Sequence, residues 1–120
     1  MRILVTGSRD WIDAGRIREA FTRLGGGHEM CHGGARGADA LAAHEAYLMG
    51  WAVKCYPANW REYGKRAGVI RNQQMLDDFE PELVLAFPLP QSIGTRHMMH
   101  IAKEAGVEVR DCSGPQLALI

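Results

Sequence analysis

The chain has 120 residues, 47% of them hydrophobic, and its 14 Lys plus Arg balance 14 Asp plus Glu to a net charge of zero. The length suits one domain, and the apolar content is enough for a real core and excludes a disordered chain. The charge balance argues against a protein built on non-specific nucleic-acid affinity, which needs a basic footprint, and leaves room only for a local basic patch.

Met1 leads straight into Arg2-Ile3-Leu4-Val5, an apolar run ending at Thr6-Gly7 that reads as a strand and not as a secretory leader. Four further runs have the same character: Glu29 to His32, Trp51 to Tyr56, Leu83 to Phe87, and Val107 to Arg110. Short apolar runs are expected for strands covered on both faces of a parallel sheet. The segments between them carry helical patterns. Ile17, Ala20, Phe21 and Leu24 recur on one helix face, and Gly25-Gly26-Gly27 stops that helix. An alanine-rich helix is predicted from about Gly37 to Met49, ending at Gly50, and a third from about Lys65 to Asp78, before Pro81. The third carries a stripe, Val69, Asn72, Gln73 and Leu76, that is polar in its middle, with Arg71 beside it. Such a face looks either to solvent or into a polar pocket. The last helix places Met98, Ile101, Ala102 and Ala105 on one face and ends at Gly106. Nothing approaches the length of a membrane-spanning helix.

This alternation predicts a single Rossmann-like α/β domain over residues 1–112, with a five-stranded, mainly parallel sheet and helices on both faces. Residues 113–120 are expected to form a tail, either frayed or docked through its apolar end on the domain or on a second subunit.

Ligands of open parallel sheets bind beyond the carboxyl ends of the strands, so the strand-to-helix turns carry the functional signal. The first is Thr6-Gly7-Ser8-Arg9-Asp10-Trp11. Gly7 permits a tight turn, Ser8 offers a hydroxyl, and Arg9 a forked cation suited to phosphate. Asp10 either caps the next helix or accepts from a ribose hydroxyl. The second is His32-Gly33-Gly34-Ala35-Arg36-Gly37-Ala38-Asp39. Its small residues after a strand and before a helix let backbone N–H groups approach an anion, with the helix dipole in support. It matches neither G-x-G-x-x-G nor a P-loop. Asp39 either complements the dipole of its helix or meets a ligand hydroxyl. The third turn, Phe87-Pro88-Leu89-Pro90-Gln91-Ser92-Ile93-Gly94-Thr95, again sets Gly and Thr at a helix start.

These turns, together with Tyr56-Pro57-Ala58-Asn59-Trp60, Ala67-Gly68-Val69-Ile70-Arg71-Asn72 and Met75, resemble the YspA/cpYpsA-related branch of the SLOG superfamily, in family order from the first strand to about Val109. The superfamily includes the "lonely guy" phosphoribohydrolases and the DNA-processing protein A domain. The resemblance implies a Rossmann-like fold and a nucleotide pocket formed by the turns at Gly7, Gly33-Gly34 and Gly94-Thr95, with Arg71-Asn72 contributing from the third helix. The phosphoribohydrolases carry Pro-Gly-Gly-x-Gly-Thr-x-x-Glu, whose glutamate assists N-glycosidic cleavage. Here the matching position is Met98, which can neither stabilise a cation nor move a proton. Arg71 matches the catalytic arginine loosely. The phosphate-binding role therefore carries over more directly than the hydrolysis.

The three cysteines, Cys31, Cys55 and Cys112, have no close spacing and fit a reducing cytoplasm. The histidines, His28, His32, His44, His97 and His100, form no zinc-ligand pattern. Trp60 and Tyr63 either stack on a base or pack over the sheet edge.

The expected function is binding, as sensor or sequestering module, of a nucleotide or nucleotide-derived small molecule such as a nucleoside monophosphate or ADP-ribose. The alternative is a hydrolase of an N-glycosidic or phosphate bond, with a DNA-associated module less favoured because the net charge is zero. The expected ligand-binding residues are Gly7, Ser8, Arg9, Asp10, His32, Gly33, Gly34, Ala35, Arg36, Gly37, Asp39, Arg71, Asn72, Gly94 and Thr95, with Arg71 the catalytic candidate. No metal, cofactor or membrane partner is implied. A homo-oligomer is expected from the resemblance and the apolar tail.

Overall fold

Each apolar run becomes a strand of one parallel sheet, in the order β3-β2-β1-β4-β5. The computed structural model describes residues 1–114; residues 115–120, most of the expected tail, lie outside the described residues. The strands are β1 (Arg2–Gly7), β2 (Glu29–His32), β3 (Ala52–Cys55), β4 (Leu83–Phe87) and β5 (Glu108–Asp111). The helices are α1 (Ala14–Leu24), α2 (Ala38–Leu48), α3 (Trp60–Tyr63), α4 (Ala67–Phe79) and α5 (Ile93–Glu104). The fold is the expected Rossmann-like α/β arrangement. Among the described residues no helix is long and apolar enough to cross a membrane.

Side chains alternate across a strand, so β1 feeds two cores at once. Ile3 and Val5 pack with Ile17 and Phe21 of α1 and the small face Ala38, Ala42 and Ala46 of α2. Leu4 points the other way, onto Met75, Leu76 and Phe79 of α4 and Met98 and Ala102 of α5. All five residues of β4 are buried, as a central strand covered on both faces requires. The alanines of α2 let it lie close to the sheet. Trp51 lies just before β3, stacking on Phe21 at 4.5 Å between centroids and donating to Gly25 O at 3.1 Å.

Two elements differ from the sequence expectation. The short helix α3 was not foreseen, although Asn59 and Glu62 spell its start. Asn59 Oδ1 accepts from the Glu62 N–H at 3.1 Å, and Asn59 Nδ2 donates to Glu62 Oε2 at 3.1 Å. Asn59 thus caps the helix through its side-chain oxygen, and its side-chain amide, not its backbone N–H, meets the Glu62 carboxylate. The buried face of α4 is Ala67, Asn72, Met75, Leu76 and Phe79, rotated from the expected stripe, and Gln73 points outward to Asp77.

The strand order reverses between β1 and β4, whose registers run from Ile3↔Leu83 to Gly7↔Phe87. The first and third turns therefore leave the sheet side by side, at the switch point where open sheets bind ligands. Phe21, wholly buried between α1, the sheet and Trp51, tests the packing. Phe21→Ala should lower the unfolding free energy by about 3–5 kcal/mol in urea denaturation.

Candidate functional site

The first turn sits directly on the start of α2. The Ser8 N–H donates to Phe87 O at 3.0 Å, and Ser8 O accepts from Ala38 N at 3.0 Å and Trp11 N at 3.2 Å. Ser8 Oγ accepts from Asp10 N at 3.0 Å and closes the turn. This approach needs Gly37, whose φ is 73° and whose Cβ would fall on the backbone of Ser8 and Arg9.

The second turn is held from within. The Gly33 and Ala35 N–H groups donate to Asp39 Oδ2 at 3.0 and 3.2 Å, and the Gly34 N–H donates to His32 Nδ1 at 2.9 Å. Amides that read as open to an incoming anion thus already hold the carboxylate of Asp39. His32 is neutral with Nδ1 as acceptor, and burial, then the Arg71 charge, lower its pKa. Asp39 is 5% exposed, and its Oδ1 is the one buried side-chain polar atom without a partner among the described residues.

Arg71 of α4 joins three elements. Its Nη1 donates to Gly33 O at 2.5 Å and to Tyr56 O at 3.3 Å, and its Nε donates to Asn72 Oδ1 at 3.1 Å. A Cβ at position 33 would fall on this guanidinium, so Gly33 is the residue that admits it. Burial lowers the Arg71 pKa, opposed by the charge of Asp39. Asn72, 4% exposed, carries the network onward, donating to Gly94 O at 3.2 Å and contacting His97 Nδ1 at 3.1 Å.

The third turn is open. Ser92 occupies the N-cap of α5, but its hydroxyl accepts from Leu89 N at 2.8 Å and makes no bond to the helix. The first intrahelical bond is Arg96 N to Ser92 O at 3.1 Å, which leaves the amides of Gly94 and Thr95 to the space in front.

That space is a cleft of about 390 Å³, within the range of small-molecule sites. The structure brings Gly7, Ser8, Arg9, Asp10, Gly33, Ala35, Asp39, Arg71, Asn72, Gly94 and Thr95 around it. Leu89, Gln91, Ser92 and Ile93 of the third turn also line it, as do Val5 and Thr6 of β1 and Met75 of α4. An adjoining cleft of about 420 Å³ shares Arg9, Gly33, Ala35 and Arg71 and adds Gly34, Arg36, Pro57, Ala58 and Trp60. His32 and Gly37 line neither cleft and act through the turns they shape. Arg9 is exposed, without a partner among the described residues, while Arg36 pairs loosely with Asp10 at 3.3 Å. Met98, the position of the phosphoribohydrolase glutamate, is wholly buried in the α4–α5 core and faces neither cleft. Among the described residues no three His, Cys, Asp or Glu gather to hold a metal ion.

Fold and cleft together define a Rossmann-like domain whose main cleft opens at the strand order's switch point. Residues 1–63 match the family model of the YspA, cpYpsA-related SLOG family. The chain is also 42% identical over 117 residues to the Gene 61 protein of Mycobacterium phage D29, covering 90% of this chain and 93% of that protein. The chain belongs to the YspA, cpYpsA-related SLOG family. The family match takes in the first two turns and α3, and the phage relative extends the likeness to most of the rest.

Burial pushes the Asp39 carboxyl up to about 6, against the Ala35 N–H, the Arg71 charge and the Gly33 N–H. An acid with a higher pKa folded than unfolded favours the fold only while it keeps its proton. Its contribution is therefore greatest below about pH 4 and declines as the pH rises to about 6, by about 3 kcal/mol. Asp39→Asn removes this titration. The wild-type unfolding free energy minus that of the variant should fall across this interval in urea denaturation; a flat difference would contradict a carboxyl buried at this cost.

Proposed function

We propose that this chain binds a nucleotide or nucleotide-derived small molecule in the paired clefts, with phosphate on the first turn of α5. The observation that carries this is convergence. The uncapped amides of Gly94 and Thr95, the free guanidinium of Arg9 and the uncommitted Nη2 of Arg71 all serve one cleft. Helix-start amides and arginine forks are the groups that hold phosphate. Trp60, 55% exposed in the adjoining cleft, offers a face for a base. Ser8, Asp10, Asp39 and Asn72 supply polar contacts around the sugar, and Gly7, Gly33, Gly34, Ala35 and Gly37 give the close backbone packing that shapes the cleft. Binding to sense or sequester is the reading favoured by Met98, because the carboxylate expected for hydrolysis is absent there.

Calorimetry and thermal shift with AMP, ADP-ribose and inorganic phosphate test it. Binding by at least one nucleotide is expected, weakened about tenfold by Arg9→Ala, the loss of one charge-assisted contact. Native mass spectrometry of the purified protein should show a bound nucleotide-sized ligand and also reports the subunit count, where a homo-oligomer is expected. No stabilisation by any nucleotide and no co-purified ligand would overturn the reading. A hydrolase is the second reading, favoured by one observation: Asp39 sets a buried carboxyl beside Arg71 in the same cleft. It predicts free base or ribose phosphate on incubation with AMP, abolished by Arg71→Ala. Unchanged AMP by mass spectrometry leaves binding alone.

A further inference from the structure

Asp39 does two different things with its two oxygens. Oδ2 is saturated by the Gly33 and Ala35 amides, which fixes the carboxylate plane. Oδ1 is buried, unpaired and part of a residue that lines the cleft. An unpaired buried acceptor costs free energy that a donor from a ligand would recover. What kind of ligand group fits is set by charge. A carboxylate already filling the amides after β2 repels a second anion, so phosphate has no seat at Gly33–Ala35. The open seat is across the cleft, at Gly94 and Thr95 of α5. The ligand that fits is therefore anionic at one end and carries a hydrogen-bond donor at the other. A phosphorylated sugar joins both groups in one compact unit. A base amine is the other donor a nucleotide offers, but the aromatic face suited to a base, Trp60, lies in the adjoining cleft. In dinucleotide-binding sheets of this strand order a carboxylate near the end of β2 reads ribose hydroxyls. Here β2 ends in His32, and α2 reaches back to supply the carboxylate instead.

We propose that Asp39 Oδ1 accepts a hydrogen bond from a ribose hydroxyl of the bound ligand and makes the site selective for ribonucleotides over deoxyribonucleotides. This rests on the nucleotide-binding reading above. Asp39 is thereby a specificity-determining residue, while the phosphate is held by other groups.

The test is calorimetry at pH 8 with AMP, its 2′-deoxy and 3′-deoxy analogues, and ribose 5-phosphate against 2-deoxyribose 5-phosphate. The wild-type protein should bind AMP about tenfold or more tightly than at least one deoxy analogue. Asp39→Asn keeps an oxygen for the Gly33 and Ala35 amides but presents a donor where Oδ1 stood. It should lose that preference while still binding the deoxy analogue. Equal wild-type affinity for AMP and both deoxy analogues overturns the proposal and leaves nucleotide binding intact. So does a folded Asp39→Asn variant that keeps the preference. If the variant does not fold, the wild-type comparison decides alone. If hydroxyl loss matters in AMP but the base-free sugar phosphates bind equally well with and without it, the hydroxyl is not read by Asp39. If no nucleotide binds, the nucleotide-binding reading falls and this one with it.

Discussion

Gly33 has both its backbone groups committed in opposite directions. Its N–H is held by the buried carboxylate of Asp39, and its carbonyl is held by the guanidinium of Arg71. No side chain fits between them. This joint couples α2 to α4 across the carboxyl end of β2, and through Asn72 it reaches α5. The cleft exists because these elements are held at a fixed separation by polar groups that the chain itself supplies. The attraction between Asp39 and Arg71 only partly offsets the burial of each, so it is the backbone hydrogen bonds at Gly33, Ala35 and Tyr56 that hold the two side chains in this corner.

The charge balance of the whole chain hides a local imbalance. Arg9, Arg36 and Arg71 all line the second cleft, and Arg9 and Arg71 also line the first, with Asp10 and Asp39. A neutral protein can therefore still offer a cationic mouth over a buried acceptor. Such an arrangement suits a small ligand with an anionic end and a neutral polar end. It does not supply the extended basic surface that nucleic-acid binding draws on.

Met98 owes its place to packing. Its side chain completes the core beneath the sheet with Leu4, Cys31 and Met75. A carboxylate in that side chain's present place would sit among apolar groups, at a high desolvation cost. The helix bearing Gly94 and Thr95 is thus built to present amides to the cleft and methyl groups to the core.

Much of the architecture was legible in the sequence. The runs Glu29 to His32 and Leu83 to Phe87 match their strands, the second because a doubly covered strand must be apolar along its length. Glycine at the end of a strand marked the first two turns, where Gly7, Gly33, Gly34 and Gly37 leave no room for a side chain, while Gly94 of the third turn meets nothing close. Asn59 and Glu62 encoded a helix start that periodicity could not show, the helix being only four residues long. What the sequence by itself determined was therefore the parallel sheet, its helices and the turns around the site. Only the tertiary structure decided which amides in those turns are open. Gly33, Gly34 and Ala35 look like a phosphate cradle in sequence, yet Asp39 and His32 hold their N–H groups, while Ser92 turns away from α5 and leaves Gly94 and Thr95 exposed to the cleft. The physical reason is that hydrogen-bond partners compete in three dimensions: a side chain a few residues away can take the place of a ligand, and spacing along the chain does not record which one has.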